Sequence, residues 1–193
     1  MSDLSADLAR AYEARVAATD VELTPAAIRA VVRELGGGEG RAQIAAGNKE
    51  LAGQLGISVR TVQRWQKEGG QGEARSVARS TPGLRISVRG IATAQQRAAN
   101  ARTFRERVQE QGLDVGACRV MVKVYNEDRP RPRNIGPQHI GGDTLTDALD
   151  ALETGDAAGA AEAFGAAWLE AYGMDAVDAT ITDVLGSFSI GSL

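Results

Sequence analysis

The chain has 193 residues, 43% of them hydrophobic and 24% charged, with a net charge of −3. That is enough apolar material for one large or two small domains with a real core. One cysteine, Cys118, and one histidine, His139, exclude an internal disulfide, a cysteine-rich zinc site and a two-histidine metal site, so neither metal nor cofactor is expected.

Residues 5–18 read as an Ala-rich helix capped by Ser5, with Leu8, Tyr12 and Val16 spaced by four. Thr24 and Pro25 form the next start signal: an N-cap, then a proline at the first helical position. Ile28, Val31, Val32 and Leu35 make an apolar stripe, closed by the glycines at 36–38 and 40. Residues 41–47 are open between a short helix around Ile44 and a longer lead-in to the helix that carries Leu51.

The stretch Asn48–Lys67 predicts two short helices with a tight turn between them. Leu51 and Leu55 share one face of the first, with Ala52 small enough for a second helix to cross closely. Gly56 suits a left-handed cap, Ile57 plugs the turn, and Ser58 is an N-cap. Val62 and Trp65 point inward. Val59, Arg60, Gln63 and Arg64 point out, with Ser58, Thr61 and Lys67 placed for phosphate. This is the pattern of a helix-turn-helix whose second helix reads double-stranded DNA.

Residues 69–83, rich in glycine and carrying Arg75 and Arg79, read as a basic linker. Beyond it the period changes. Residues 84–89 alternate, Ile86 and Val88 against Arg85, Ser87 and Arg89, which predicts a half-buried strand. Residues 94–111 read as a helix with Ala101, Phe104 and Val108 inward. Residues 118–125 alternate again, with Val120, Val122 and Val124 on one face and Arg119, Met121, Lys123 and Tyr125 on the other. Pro130 and Pro132 lead into a short strand over 134–140, at an edge or in a loop. Two helices come next. The first, over 144–152, turns Leu145, Ala148, Leu149 and Leu152 inward; the second, over 157–172, turns in Ala160, Phe164, Ala167, Trp168 and Ala171. Residues 177–184 and 188–190 form one bent strand or a tight hairpin.

These elements imply an α+β protein. Residues 1–68 are an all-α DNA-binding domain, 69–83 a linker, and 84–193 a small α/β domain compatible with a ferredoxin-like βαββαβ order. Charge is uneven along the chain. Residues 81–140 hold eleven basic and five acidic residues, while 141–193 hold ten acidic residues and no Lys or Arg. On the strand reading, Arg85, Arg89, Arg119 and Lys123 share a sheet face with Tyr125 beside them and Arg131 and Arg133 at its edge. That face is a second candidate nucleic-acid surface, or else a solvated face, or one paired to the acidic end.

No catalytic constellation emerges. Asp143, Asp147 and Asp150 lie on or beside one helix and read as a solvated stripe, and no phosphate-binding glycine loop occurs. The N-terminus has no basic region and no long apolar run, so a cytoplasmic, nucleoid-associated protein without membrane contact is expected.

Residues 48–67 resemble the helix-turn-helix of bacterial repressors, replication proteins and recombination proteins. A wider arrangement resembles the telomere terminal proteins of linear actinobacterial chromosomes and plasmids. It comprises that segment, small strands, a helix ending Leu169-Glu170-Ala171-Tyr172, and a final strand with Thr182-Asp183. That likeness implies a protein hydroxyl that primes DNA synthesis, but assigns it to no residue here. The expected function is sequence-specific DNA binding in transcription control or replicon maintenance, as a homo-oligomer joined through residues 84–193. Terminal-protein priming and an architectural oligomer are the alternatives.

Overall fold

The computed structural model describes residues 3–18, 21–68, 73–175 and 178–185. The chain is a mixed α+β protein, with helices in its N-terminal part and a small sheet in its C-terminal part. It divides into two compact units. A helical unit spans Ala17–Asn100, and a mixed unit combines Met1–Val16 with Ala101–Leu193. The expected break after residue 68 therefore does not coincide with the observed division.

In the helical unit, α2 (Pro25–Gly36) starts where Thr24 Oγ1 accepts from the Ala27 amide at 3.0 Å, and it ends at Gly37 with φ 72°. Helix α3 (Arg41–Leu55) takes in residues 41–47 as its first turns, with Gln43 Oε1 accepting from the Gly40 amide at 2.8 Å. The two helices touch through glycine. A Cβ at Gly47 would run into the Val32 carbonyl oxygen, and one at Gly36 into the Gln43 carbonyl oxygen. Helix α4 (Val59–Lys67) and the short α5 (Arg75–Ala78) come next. The core joins Leu23, Ile28, Val32, Leu51, Val62, Trp65, Val77 and Val88. The described part of the expected linker is thus packed structure: Ala74 and Val77 are buried, and the Ala74 amide donates to the Leu23 carbonyl at 2.9 Å.

The strand expected over 84–89 is helix. It belongs to α6 (Pro82–Gln111), 30 residues long. Thr81 begins it, with Thr81 Oγ1 accepting from the Leu84 amide at 3.4 Å and Pro82 in the first turn. The apparent alternation failed because only one of its two apolar residues is core. Val88 is buried and Ile86 is 72% exposed. The stripe that packs is Leu84, Val88, Ile91 and Ala92, at helical spacing. Residues up to Asn100 fall in the helical unit and the rest of α6 in the mixed unit.

Among its described residues the mixed unit holds two antiparallel sheets. One has the order β3 (Arg131–Ile135), β2 (Cys118–Val124), β5 (Ala179–Val184); the other pairs β1 (Leu113–Val115) with β4 (Gln138–Ile140). The alternation over β2 holds. Val120 and Val122 are buried while Arg119 and Lys123 are exposed. Pro132 sits in β3, an edge strand that tolerates the missing donor. With 84–89 helical, the βαββαβ order is not realised.

A 3-10 turn (Gly142–Leu145) leads into α7 (Thr146–Thr154) and α8 (Ala157–Ala171). Asp156 caps α8 by accepting from the Gly159 amide at 2.9 Å. Ala160, Phe164, Ala167 and Trp168 are buried as expected; Ala171, at the end of the helix, is exposed. The first helix, α1 (Leu4–Val16), also packs in this unit, with Leu4 and Leu8 in its core. It thus falls outside the helical unit, although residues 1–68 were expected to form one all-α domain. The stripe on α1 shows that it needs a partner but not which partner. Val177 and Phe188–Ile190 lie outside the described residues. No described helix is long and apolar enough to cross a membrane.

Candidate functional site

The segment α3–turn–α4 conforms closely to its sequence. Gly56 ends α3 with φ 63°, its amide donating to the Gly53 carbonyl at 3.2 Å. The Ile57 amide donates to the Ala52 carbonyl at 3.0 Å. This left-handed closure satisfies carbonyls that the helix leaves open. Ser58 then caps α4, its Oγ accepting from the Thr61 amide at 3.2 Å. Caps and turn together fix where α4 starts.

Val62 and Trp65 fix how α4 is rotated. Both are at 0% exposure, locked in the core of the helical unit. The opposite side is left to solvent. Val59, Arg60, Gln63, Arg64 and Lys67 are exposed, with Ser58 at the start and Thr61 half-buried. Ser58, Arg60, Thr61, Gln63, Arg64, Lys67 and Glu68 frame one shallow hollow of about 500 Å³. Six of the seven expected contact residues therefore line one surface. Val59, 37% exposed, lies outside that lining.

Glu68 is the one acid in this lining, and it is already engaged. Its carboxylate accepts from the Ser76 hydroxyl and, at 2.9 Å, from the Ser76 amide. These bonds, with smaller help from Arg64 and Arg75, hold its pKa below the ordinary glutamate value. The contact ties the end of α4 to α5 and leaves Arg60, Arg64 and Lys67 as the charges presented by α4.

Asn48 is the residue that sequence reading missed. It lies in the middle of α3, buried at 4% exposure. Its Nδ2 donates to the Ile44 carbonyl at 2.8 Å, and its Oδ1 accepts from Gln66 Nε2 on α4. Gln66 Nε2 also donates to the Val62 carbonyl at 3.3 Å, while Arg29 Nη1 donates to the Gln66 carbonyl at 3.3 Å. This polar tie joins α2, α3 and α4. Its signal was present: Asn48 occupies an inward position, three and four residues ahead of Leu51 and Ala52.

The second candidate surface is not assembled. Arg85 and Arg89 lie on α6 in the helical unit, not on a sheet. Arg85 Nη1 donates to the Ala78 carbonyl at 3.2 Å. Arg131 and Arg133 stand opposite Val122 and Val120 in the β2–β3 register. They share the face of those valines, not that of Arg119 and Lys123. Arg131 also pairs with Glu127 at 3.3 Å. Asp183 stands opposite Met121 on the Arg119–Lys123 face. What remains of the expected basic patch is Arg119, Lys123 and the exposed Tyr125.

His139 pairs across β1–β4 with Asp114, Nδ1 to Oδ1 at 2.8 Å, in solvent. Asp150 belongs to an ion-pair cluster in which Arg105 reaches it at 2.6 Å and Glu153 at 3.0 Å. The acidic end thus does pair with the basic middle of the chain, through a helix instead of a sheet. Among the described residues, no three His, Cys, Asp or Glu side chains gather as a metal site. Comparison with protein-family models, curated proteins and solved structures gave no match.

Proposed function

We propose that α3 and α4 form a helix-turn-helix and that the chain is a sequence-specific DNA-binding protein of a bacterial chromosome or mobile element. Its role is transcription control or replicon maintenance. One observation carries the reading. Helix α4 is held by Val62 and Trp65, while its other side groups Arg60, Gln63, Arg64 and Lys67 around an open hollow. Such a face has little reason to be cationic and amide-bearing for packing, and it suits the major groove.

In this reading Arg60 and Arg64 address guanine and Gln63 adenine through paired hydrogen bonds. Ser58 and Thr61, at the positive end of α4, take phosphate, and Lys67 adds a second phosphate contact. Val59 borders the contact and meets a thymine methyl. One such module reads few base pairs, so the protein works as a dimer or higher oligomer. Arg119 and Lys123, which remain of the second candidate surface, have no assigned part in specificity.

Selection from a random duplex pool tests the proposal. A short consensus should emerge with the native chain and be lost when Arg60, Gln63 and Arg64 are all replaced by Ala. Equal enrichment by the native and the triply substituted chains would refute it. Light scattering on the full chain should give more than a monomer on DNA.

A further inference from the structure

Charge is unevenly placed within the helical unit. Residues 17–73 hold seven basic and seven acidic residues, whereas residues 74–100 hold five arginines and no acidic residue. The net positive charge of this unit therefore comes from the stretch that contains α5 and the first part of α6.

Local structure fixes where α5 puts its share. Ala74 and Val77 are buried, and the Ala74 amide donates to the Leu23 carbonyl. Arg75 and Arg79, four residues apart and so on one side of the helix, are left exposed. Among the described residues neither forms a salt bridge. The Glu68 carboxylate, just past α4, accepts from the Ser76 amide and hydroxyl and so ties α5 to the end of α4. The charges of Arg64 and Arg75 both help to hold down the Glu68 pKa, so both lie near that carboxylate. Glu68 and Arg64 line the hollow on α4, and Arg75 thus stands beside it. On the other side of α5, Arg85 reaches the Ala78 carbonyl, and the exposed Arg89 follows one turn later on α6.

We infer that Arg75 and Arg79, extended by Arg89 on α6, form a second DNA contact, made to backbone phosphates that flank the groove entered by α4. Guanidinium groups gathered without an acid repel one another, and phosphate relieves that repulsion while accepting paired hydrogen bonds from the planar fork. A duplex supplies phosphates as a dense, regular array, which suits cations held on two successive helices. Such contacts set affinity and orientation and carry no base information. They add to those of Ser58, Thr61 and Lys67, and rest on the helix-turn-helix reading for their place on the duplex.

Salt titration of the full chain on a mixed-sequence DNA duplex is the test. Arg75→Gln/Arg79→Gln should weaken every duplex alike and make the plot of log affinity against log salt shallower by about two, each phosphate contact contributing a slope of roughly 0.9. Arg75→Lys/Arg79→Lys keeps both charges and should keep the native slope. Arg119→Gln/Lys123→Gln removes the same charge from the mixed unit and should also leave the slope native. A native slope in the Arg75/Arg79 glutamine variant, or an equal loss in the Arg119/Lys123 variant, would overturn the inference. So would tighter binding of single-stranded RNA than of the duplex. Selection of a consensus is a separate readout. If the slope falls as expected but the native chain selects no consensus, base reading by α4 fails and this contact stands. A consensus with an unchanged slope removes this contact alone, and a chain that binds no duplex refutes both.

Discussion

Asn48 and Gln66 are hydrogen-bonded from the buried face of α3 to the flank of α4, eighteen residues apart in sequence. The bond ties α4 to α3, with the Val62 carbonyl as the second acceptor of the Gln66 amide. Removing Asn48 leaves Gln66 Nε2 with its bond to the Val62 carbonyl, so the loss is that of one hydrogen bond, about 0.5–1.5 kcal/mol. Asn48→Ala should therefore destabilise the helical unit by that amount in urea melts. A double-mutant cycle with Gln66→Ala should show coupling of roughly 0.5–3 kcal/mol. Strict additivity would mean that the tie contributes nothing.

Gly47 lets the α2 and α3 backbones meet. Gly47→Ala would push a Cβ into the Val32 carbonyl oxygen, which belongs to backbone that cannot swing aside. The variant should lose at least about 1–3 kcal/mol, as overpacked cores do, despite the better helix propensity of Ala. A neutral or stabilised variant in thermal melts would contradict the close crossing.

Trp65 is anchored in the core of the helical unit, away from the exposed side of α4. Trp65→Ala should cost about 3–5 kcal/mol of helical-unit stability. A near-native melting temperature would show that the residue faces solvent or DNA.

Glu68 gives a pH signature. Its pKa is lowered in the folded chain, first by the Ser76 hydroxyl and then by the Ser76 amide. A depressed carboxylate contributes stability above its unfolded pKa and loses it as pH falls through the folded one. The stability difference between the native chain and Glu68→Gln should thus be constant near neutrality and shrink only below the ordinary glutamate range. A difference that grows on acidification would reverse the sign and reject the Ser76 contact.

The parts of this fold visible in sequence were those fixed by local chemistry. Thr24–Pro25, Gly56 and Ser58 do what their backbone preferences dictate, and Val62, Trp65, Val120 and Val122 point where their spacing requires. The parts that were not visible depend on partners far along the chain. The stripe Leu4–Leu8–Tyr12–Val16 is equally good cover for either unit, and nothing local chooses the mixed one. Residues 84–89 failed differently. Six residues of alternation are too few to distinguish a strand from a helix carrying one exposed isoleucine, and the Thr81-Pro82 start signal pointed to the helix. With that segment went Arg85 and Arg89, and with them two of the four basic residues expected on the sheet face. Asn48 escaped because a polar side chain by itself suggests exposure.

The central claim is that α4 reads bases through its outer face. Binding of Arg64→Ala and Lys67→Ala, measured across single-base variants of the selected site at two salt concentrations, tests it most directly. Arg64→Ala should flatten preference at one base position, by about 1–3 kcal/mol, and leave the other positions as they were. Lys67→Ala should weaken every sequence alike and reduce the salt dependence by about one phosphate contact. If both variants bind every site with native affinity and native salt dependence, α4 does not face DNA.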